Sequence, residues 1–319
     1  MVSFIVIGKN EGWKLEKCFN SIFKLIQKNN LDNYEVIYVD SDSTDNSIKI
    51  AKGFSEIKIF ILRGNCNAAI GRNVGAKKSK GDILFFIDGD MELLEGSANL
   101  INDKKIHLEH PFISGQFNNY FYDTYSGEII GERKSWNNNK DIYTGTTGGL
   151  FIIERKLWEK INGMQNKYRI SQDLDLGLRL AKTHNLLLRK SILIANHYTI
   201  DYKSTNRLWK DILLGNFLYA NCVLLRDHFF NKYFWKYYLR RNYSLIIIII
   251  LIFFQKLFIP FALLYLLIIG IRSIKTTKGE RVLHKISVFL SFIIRDILSI
   301  IGIILFWPHK KYNYKIINI

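Results

Sequence analysis

The residue pattern points to an open α/β domain with a mainly parallel sheet, followed by apolar helices suited to a membrane. Three features lead there. Up to about residue 200, short β-branched runs alternate with helical stretches, the signature of βαβ units. Acidic residues stand directly after two of those runs, Asp40 and Asp42 after one, Asp88 and Asp90 after another. Ser244–Ile271 and Ile286–Trp307 are nearly unbroken Ile, Leu and Phe, each long enough for a hydrocarbon core of ~30 Å.

Ser3–Ile7 reads as the first strand. The apolar run is too short for the core of an export signal, lacks a basic lead, and passes straight into polar Gly8-Lys9-Asn10-Glu11. Leu15–Gln27 is a helix, because Leu15, Phe19, Ile22, Phe23 and Ile26 recur at steps of helical spacing. Glu35–Val39 is the second strand, and Ser43-Thr44-Asp45-Asn46 suits the cap of a helix over Ile48–Phe54. Ile57–Leu62 is a third strand, Ile70–Lys78 a helix, and Ile83–Ile87 a fourth, fully buried strand. Strand-like pieces follow at Phe112–Phe117 and Tyr120–Tyr125. Gly145-Thr146-Thr147-Gly148-Gly149 opens another at Leu150–Ile153, and Ser191–Ala195 precedes His197.

The expected division is a catalytic domain over residues 1–205, an interfacial helical segment over 206–243, and membrane helices with a basic tail over 244–319. The middle segment interleaves aromatics with Lys232, Lys236, Arg240 and Arg241, as interfacial stretches do.

Composition narrows the function without choosing it. The 45 Lys+Arg against 28 Asp+Glu give +17, which suits nucleic acid, an anionic bilayer surface or a diphosphate ligand. Cys18, Cys66 and Cys222 lie far apart with no CxxC pair, so neither a disulfide framework nor a zinc site is expected. No GxGxxG follows the first strand, which argues against a dinucleotide-dependent oxidoreductase. Gly8-Lys9-Asn10-Glu11-Gly12 is also a poor fit to the glycine-rich basic loop of a sugar-phosphate nucleotidyltransferase. A basic membrane adaptor or nucleic-acid binder is the non-enzyme alternative; it would depend steeply on salt and ignore sugar nucleotides.

The chemistry concentrates where strands deliver acids, since open sheets bind ligands outside the carboxyl ends of their strands. Phe85-Phe86-Ile87-Asp88-Gly89-Asp90 carries two carboxylates onto one tight turn. Close acids repel, and they coexist mainly when a divalent cation sits between them or one is protonated. A Mg²⁺ or Mn²⁺ held by one or two carboxylates keeps positions open for diphosphate oxygens. The alternative is an ordinary turn in which Asp88 caps a backbone NH and Asp90 is solvated.

Four further segments occur in order with that one. They are Val6-Ile7-Gly8-Lys9-Asn10-Glu11, Val39-Asp40-Ser41-Asp42-Ser43-Thr44-Asp45, Gly71-Arg72-Asn73-Val74-Gly75 and Gln172-Asp173-Leu174-Asp175-Leu176-Gly177-Leu178-Arg179. Together they resemble the family 2 glycosyltransferases of the GT-A fold over about residues 2–200. The resemblance implies a donor-nucleotide site from Asn10, Glu11, Asp40, Asp42, Arg72 and Asp88. In it Asp40 and Asp42 meet the base and ribose, and Arg72 lies near the diphosphate. It implies a Mn²⁺ or Mg²⁺ on Asp88 and Asp90, with His197 where some related enzymes put a third ligand. Asp173 matches the general base of an inverting reaction.

The alternative for Arg72 is a solvated helix residue, and for His197 a structural hydrogen-bonding group. Gln172 stands where the family often has Glu, and Ser204-Thr205-Asn206-Arg207-Leu208-Trp209 does not match the QxxRW of processive polymerases. The second half of the domain is expected to shape an acceptor cleft. The expected partners are a nucleotide-sugar donor, a saccharide or lipid-linked acceptor and membrane lipid, without nucleic acid. A polyprenyl-phosphate carrier is the alternative acceptor.

Both apolar runs carry charge near the middle, Gln255-Lys256 in the first and Arg295-Asp296 in the second. In an antiparallel hairpin Lys256 and Asp296 lie at similar depth, so an intramembrane pair is expected. The arrangement is either a two-span hairpin or a re-entrant pair. Both put the catalytic half on the cytoplasmic side of the cytoplasmic membrane.

Overall fold

A computed structural model describes residues 1–101, 108–124, 126–201, 205–253, 258–279, 281–309 and 312–319. The chain divides into two compact units, Met1–Ile200 with His309–Ile319, and Asp201–Pro308.

The first unit is the expected α/β domain. Its elements are β1 (Val2–Gly8), α1 (Trp13–Lys28), β2 (Tyr34–Asp40), α2 (Ser47–Lys52), β3 (Ile57–Gly64), α3 (Ala68–Lys78) and β4 (Ile83–Asp88). Then come β5 (Met91–Leu93), β6 (Phe112–Tyr122), β7 (Ile129–Ser135), β8 (Ile142–Thr144), β9 (Phe151–Glu154), α4 (Arg155–Lys160), α5 (Gln172–Lys182) and β10 (Leu187–Thr199). With a last strand β11 (Tyr314–Asn318), the sheet runs β11-β3-β2-β1-β4-β9-β6-β10-β5, with β7 beside β6 and β8 beside β10. β3, β2, β1 and β4 are mutually parallel, whereas β9 is antiparallel to both β4 and β6.

Every residue of β1 is buried, which explains why it reads as a continuous apolar run: helices cover both of its faces. Val2, Phe4 and Val6 join the core that includes Leu15, Phe19 and Ile22 of α1. Ile7 instead packs with Ile70 and Val74 of α3. Gly75 lets α3 approach, because a Cβ there would lie 2.3 Å from the Ile5 side chain. That close approach sets Arg72 of the same helix beside the strand ends.

Three features differ from the sequence reading. Phe112–Phe117 and the first residues of the piece expected at Tyr120–Tyr125 belong to one long strand, β6, which ends at Tyr122, because Asn118 and Asn119 pair in register with Lys134 and Arg133 of β7; Tyr125 lies outside the described residues. His197 lies inside β10 and not after it, held opposite Met91 of β5. The tail assigned to the membrane part supplies an edge strand, β11 (Tyr314–Asn318), antiparallel to β3.

The second unit is helical: α6 (Thr205–Leu213), α7 (Asn216–Leu218), a π segment at Tyr219–Val223, α8 (Leu224–His228), α9 (Lys232–Phe253), α10 (Phe258–Thr276) and α11 (Val282–Leu305). Of the apolar run 244–271, the described residues lie in α9 up to Phe253 and in α10 from Phe258. Among the described residues, the helices long and apolar enough to cross a membrane are Phe258–Thr276 and Val282–Leu305, and a bent pair, Arg207–Leu213 with Asn216–His228, adds a third if it counts as one span. Tyr265, Ile269, Val288 and Phe292 form the contact core of α10 and α11. Lys256, the expected partner of Asp296, lies outside the described residues. Asp296 accepts a hydrogen bond from the Tyr265 hydroxyl at 3.3 Å, so this acid is served by a neighbouring helix.

Candidate active site

Strand order reverses at β1, and the crevice beyond β1 and β4 is where this topology leaves room for a ligand. Ile7 pairs with Asp88, so the loop after β1 lies alongside the Asp88-Gly89-Asp90 turn, and the Gly89 amide donates to Ile7 O at 2.8 Å. A cavity of about 270 Å³ opens there, lined among others by Lys9, Glu11, Arg72, Asp88, Asp90 and Gln172.

Arg72 is almost wholly buried, and its Nη2 donates to Asp88 Oδ1 at 2.5 Å and to Gly149 O at 3.2 Å. Its Nε and Nη1 are buried with no hydrogen-bond partner among the described residues. A buried guanidinium seldom leaves donors unused, because each unmet donor carries a desolvation cost of about 1–3 kcal/mol. Burial pushes the Asp88 carboxyl above the usual carboxylate range, and Arg72 offsets only part of this.

Gly149 is fixed by this pair, since a Cβ there would lie 1.9 Å from Asp88 Oδ2. Gly149→Ala is therefore expected to push Asp88 off Arg72 and lower turnover by about 10²-fold, as a misplacement of ~1 Å can do. Steady-state rates check this, and turnover within twofold of wild type would show that Asp88 need not stand there.

Asp90 faces the other way. The β5–β10 pairing brings His197 to it, with Nε2 at 3.2 Å from Asp90 Oδ2. Asn119 Nδ2 donates to Arg133 O at 3.0 Å and to Ser135 Oγ, which turns its Oδ1 toward His197 Nδ1 at 2.8 Å. Nδ1 therefore carries a proton, and Nε2 is left to offer a lone pair to a cation or a proton to Asp90. Burial disfavours the imidazolium, yet the Asp90 carboxylate outweighs it and raises the His197 pKa. Burial would likewise raise Asp90, but His197 holds it below the usual range.

Asp90 Oδ1 is buried without a hydrogen-bond partner among the described residues. That orphaned oxygen, with an oriented imidazole beside it, is a hard donor set that suits Mn²⁺ or Mg²⁺. Among the described residues no three His, Cys, Asp or Glu side chains converge as a metal site. Of the expected trio, Asp90 and His197 are together, while Asp88 turns to Arg72.

Glu11 also faces the turn. Burial and the Asp90 charge push it up to about 7, against the pull of Lys14, whose Nζ lies 2.6 Å away. Asn10 ties loops together instead of facing the cavity, its Oδ1 accepting from the Thr44 amide at 2.8 Å. Asp40 is fully buried, with one oxygen taking the Tyr38 hydroxyl and the other the Ser43 amide, each at 2.8 Å. Asp42 pairs with Arg63. The cavity wall between these two acids is Ser41.

Asp173 stands in the first turn of α5, after Ser171 with its left-handed backbone (φ 68°). Burial raises its pKa above the usual carboxylate value, opposed first by Arg72. Arg189, 1% exposed, also feels the Asp173 charge and stacks on the Trp136 ring with 3.7 Å from guanidinium carbon to centroid.

The model of glycosyl transferase family 2 matches residues 3–196. The chain belongs to that family. The expected GT-A class, an open mainly parallel sheet with apolar helices after it, is the architecture of this member.

An uncharacterized glycosyltransferase of Haemophilus influenzae is 28% identical over 195 residues, covering 56% of this chain and 62% of that protein. Poly(ribitol-phosphate) beta-N-acetylglucosaminyltransferase TarP of Staphylococcus aureus is 35% identical over 94 residues, 28% of each chain. Both alignments thus span less than two thirds of the relative. Among solved structures, S. aureus TarS 1–349 in complex with UDP superposes with a TM-score of 0.49 at 16% identity, covering 76% of this chain and 74% of that one.

Sequence reasoning missed Lys14, Asn119, Trp136 and Arg189. Asn119 left a signal, as a polar residue inside an aromatic strand pattern, and Lys14 stands one helical turn from Glu11; Trp136 and Arg189 come together only through a contact remote in sequence.

Proposed function

We propose that this family 2 member is an inverting glycosyltransferase, moving a sugar from a UDP-sugar to a hydroxyl of a lipid-linked saccharide in cell-surface glycan synthesis. The observation that carries this reading is the buried Arg72, paired to Asp88 on one side and with two donors unused beside the cavity. A diphosphate offers oxygens that match those donors, and the guanidinium fork suits it geometrically.

When bound, a Mn²⁺ or Mg²⁺ on Asp90 and His197, with Asp88 nearby, would neutralise charge growing on the departing diphosphate. Arg72 stabilises the same charge from the opposite side of the turn. Asp173 takes the proton of the attacking hydroxyl. A single displacement from the far face of the sugar then inverts the anomeric centre. The name of the TarP relative, a poly(ribitol-phosphate) beta-N-acetylglucosaminyltransferase, supports a hydroxyl acceptor.

The helices α10 and α11 support an integral protein of the cytoplasmic membrane with its catalytic unit in the cytoplasm, where nucleotide sugars are made. A polyprenyl-phosphate acceptor is the second reading. An already ionised phosphate needs no base, so the raised pKa of Asp173 favours the hydroxyl.

Calorimetric titration with UDP tests the donor site. Affinity is expected to rise about 10-fold or more with Mn²⁺ present, the scale of a metal-site effect. No UDP binding with or without Mn²⁺ would refute the reading.

A further inference from the structure

Trp136 is a bulky residue in the left-handed backbone region, at φ 51°. Such a conformation is strained and persists only where the surroundings force it, and strained residues cluster at active sites, ligand clamps and switch regions. Here three neighbours force it. The Arg189 guanidinium lies against the ring at 3.7 Å, and Phe117 meets it perpendicularly with centroids 4.7 Å apart. Gly148 makes room for the indole, because a Cβ there would come within 2.8 Å of it.

All this holds the ring without covering it. Trp136 remains 37% exposed, whereas Arg189 beneath it is 1% exposed. Burying the indole would be the default outcome for so large an apolar surface. The ring is instead fixed in a strained pose with much of its surface open.

Its neighbours say what it faces. Arg189 Nη2 donates to Thr146 O at 3.0 Å, and the Thr146 backbone packs on Gly177, one turn along α5 from Asp173, the proposed base; Arg189 Nε is buried with no hydrogen-bond partner among the described residues. Phe117 packs edge-on to His197, with centroids 5.8 Å apart. The indole thus belongs to the side of the crevice that holds the base. It is not among the residues lining the cavity at Lys9, Ser41, Cys66 and Arg72.

We infer that Trp136 is the platform on which the pyranose ring of the acceptor stacks, with Arg189 as the positioning residue that holds the platform beside Asp173. This rests on the transferase reading above and adds the acceptor subsite to it. A pyranose presents a face of C–H groups and an edge of hydroxyls. The first matches an indole face, and the second needs a few polar groups at the rim. The proton that Asp173 removes belongs to the acceptor, so a ring held next to Asp173 is the acceptor's and not the donor's.

The test uses the full chain purified in detergent. Nucleotide release from UDP-sugars is measured alone and with a panel of methyl pyranosides, which carry no chromophore. At least one pyranoside is expected to accelerate release by wild type. Trp136→Ala is expected to raise the pyranoside KM so that stimulated release falls about 10-fold more than unstimulated release, within the ~1–3 kcal/mol scale of a lost stacking partner. Trp136→Phe should recover most of that loss. It should also abolish the quenching of indole fluorescence that a pyranoside causes in wild type, a signal that a merely structural Trp would not give.

Equal loss of both rates in Trp136→Ala, an unchanged pyranoside KM, or a wild type that releases nucleotide yet responds to no pyranoside each overturns the assignment while leaving the donor site standing. No turnover of any UDP-sugar by wild type, despite UDP binding, overturns the transferase reading together with it.

Discussion

Asp173→Asn is expected to lower sugar transfer by about 10²–10⁴-fold, the usual worth of one positioned general base, while UDP affinity stays within a few-fold. The side chain stands at the start of α5, where helix amides favour its charge, yet burial has the larger effect and raises its pKa. A carboxylate made more basic in this way is better matched to a hydroxyl proton.

The sign of the pH effect follows. Activity needs the ionised form, so the rate falls as pH drops through the raised pKa, at a higher pH than an ordinary aspartate would give. The same shift means that the charged group costs stability above its unfolded pKa, and that cost grows until pH passes the folded pKa. The neutral amide removes it, so Asp173→Asn should melt no lower than wild type at pH 7. Transfer at the wild-type rate would remove Asp173 from the base role. It would also favour a phosphate acceptor, which requires no base.

Legibility in the sequence tracks the distance over which each feature is decided. The run β1–β4 was readable because its signals are local: alternating or continuous apolar strands, an amphipathic α1, and acids directly after two strands. The Asp88–Asp90 turn followed for the same reason. The partners of those acids did not. His197 reaches Asp90 only through the antiparallel β5–β10 pairing, and Asn119 reaches His197 only through β6. Asp40 was expected to face a nucleotide base, and its inward engagement has a local cause. Tyr38 shares its strand face two residues earlier and points its hydroxyl at the carboxylate.

Exchanging the acids of the turn one at a time should separate their roles. Asp90→Asn removes the carboxylate that His197 faces and the orphaned oxygen beside it. Mn²⁺ affinity, followed by electron paramagnetic resonance, is expected to fall roughly 10–100-fold, with turnover falling at least in step. Metal-free UDP binding should change little, because Arg72 and Asp88 are untouched. Asp88→Asn acts differently. It strips the buried Arg72 of its only carboxylate partner within salt-bridge reach among the described residues, so an unpaired charge remains inside the fold. Removing one member of a fully buried pair costs about 3–5 kcal/mol, and the partial exposure of Asp88 reduces that figure. A measurable drop in melting temperature should therefore accompany the loss of activity in both variants: Asp90→Asn loses a carboxylate that His197 holds below its usual range, and Asp88→Asn leaves Arg72 unpaired. Saturating UDP should restore much of the stability lost in Asp88→Asn, since its diphosphate supplies Arg72 with the anion that the substitution removed. If both variants keep wild-type Mn²⁺ affinity and turnover, neither acid serves a metal or a diphosphate, and the turn is an ordinary strand end.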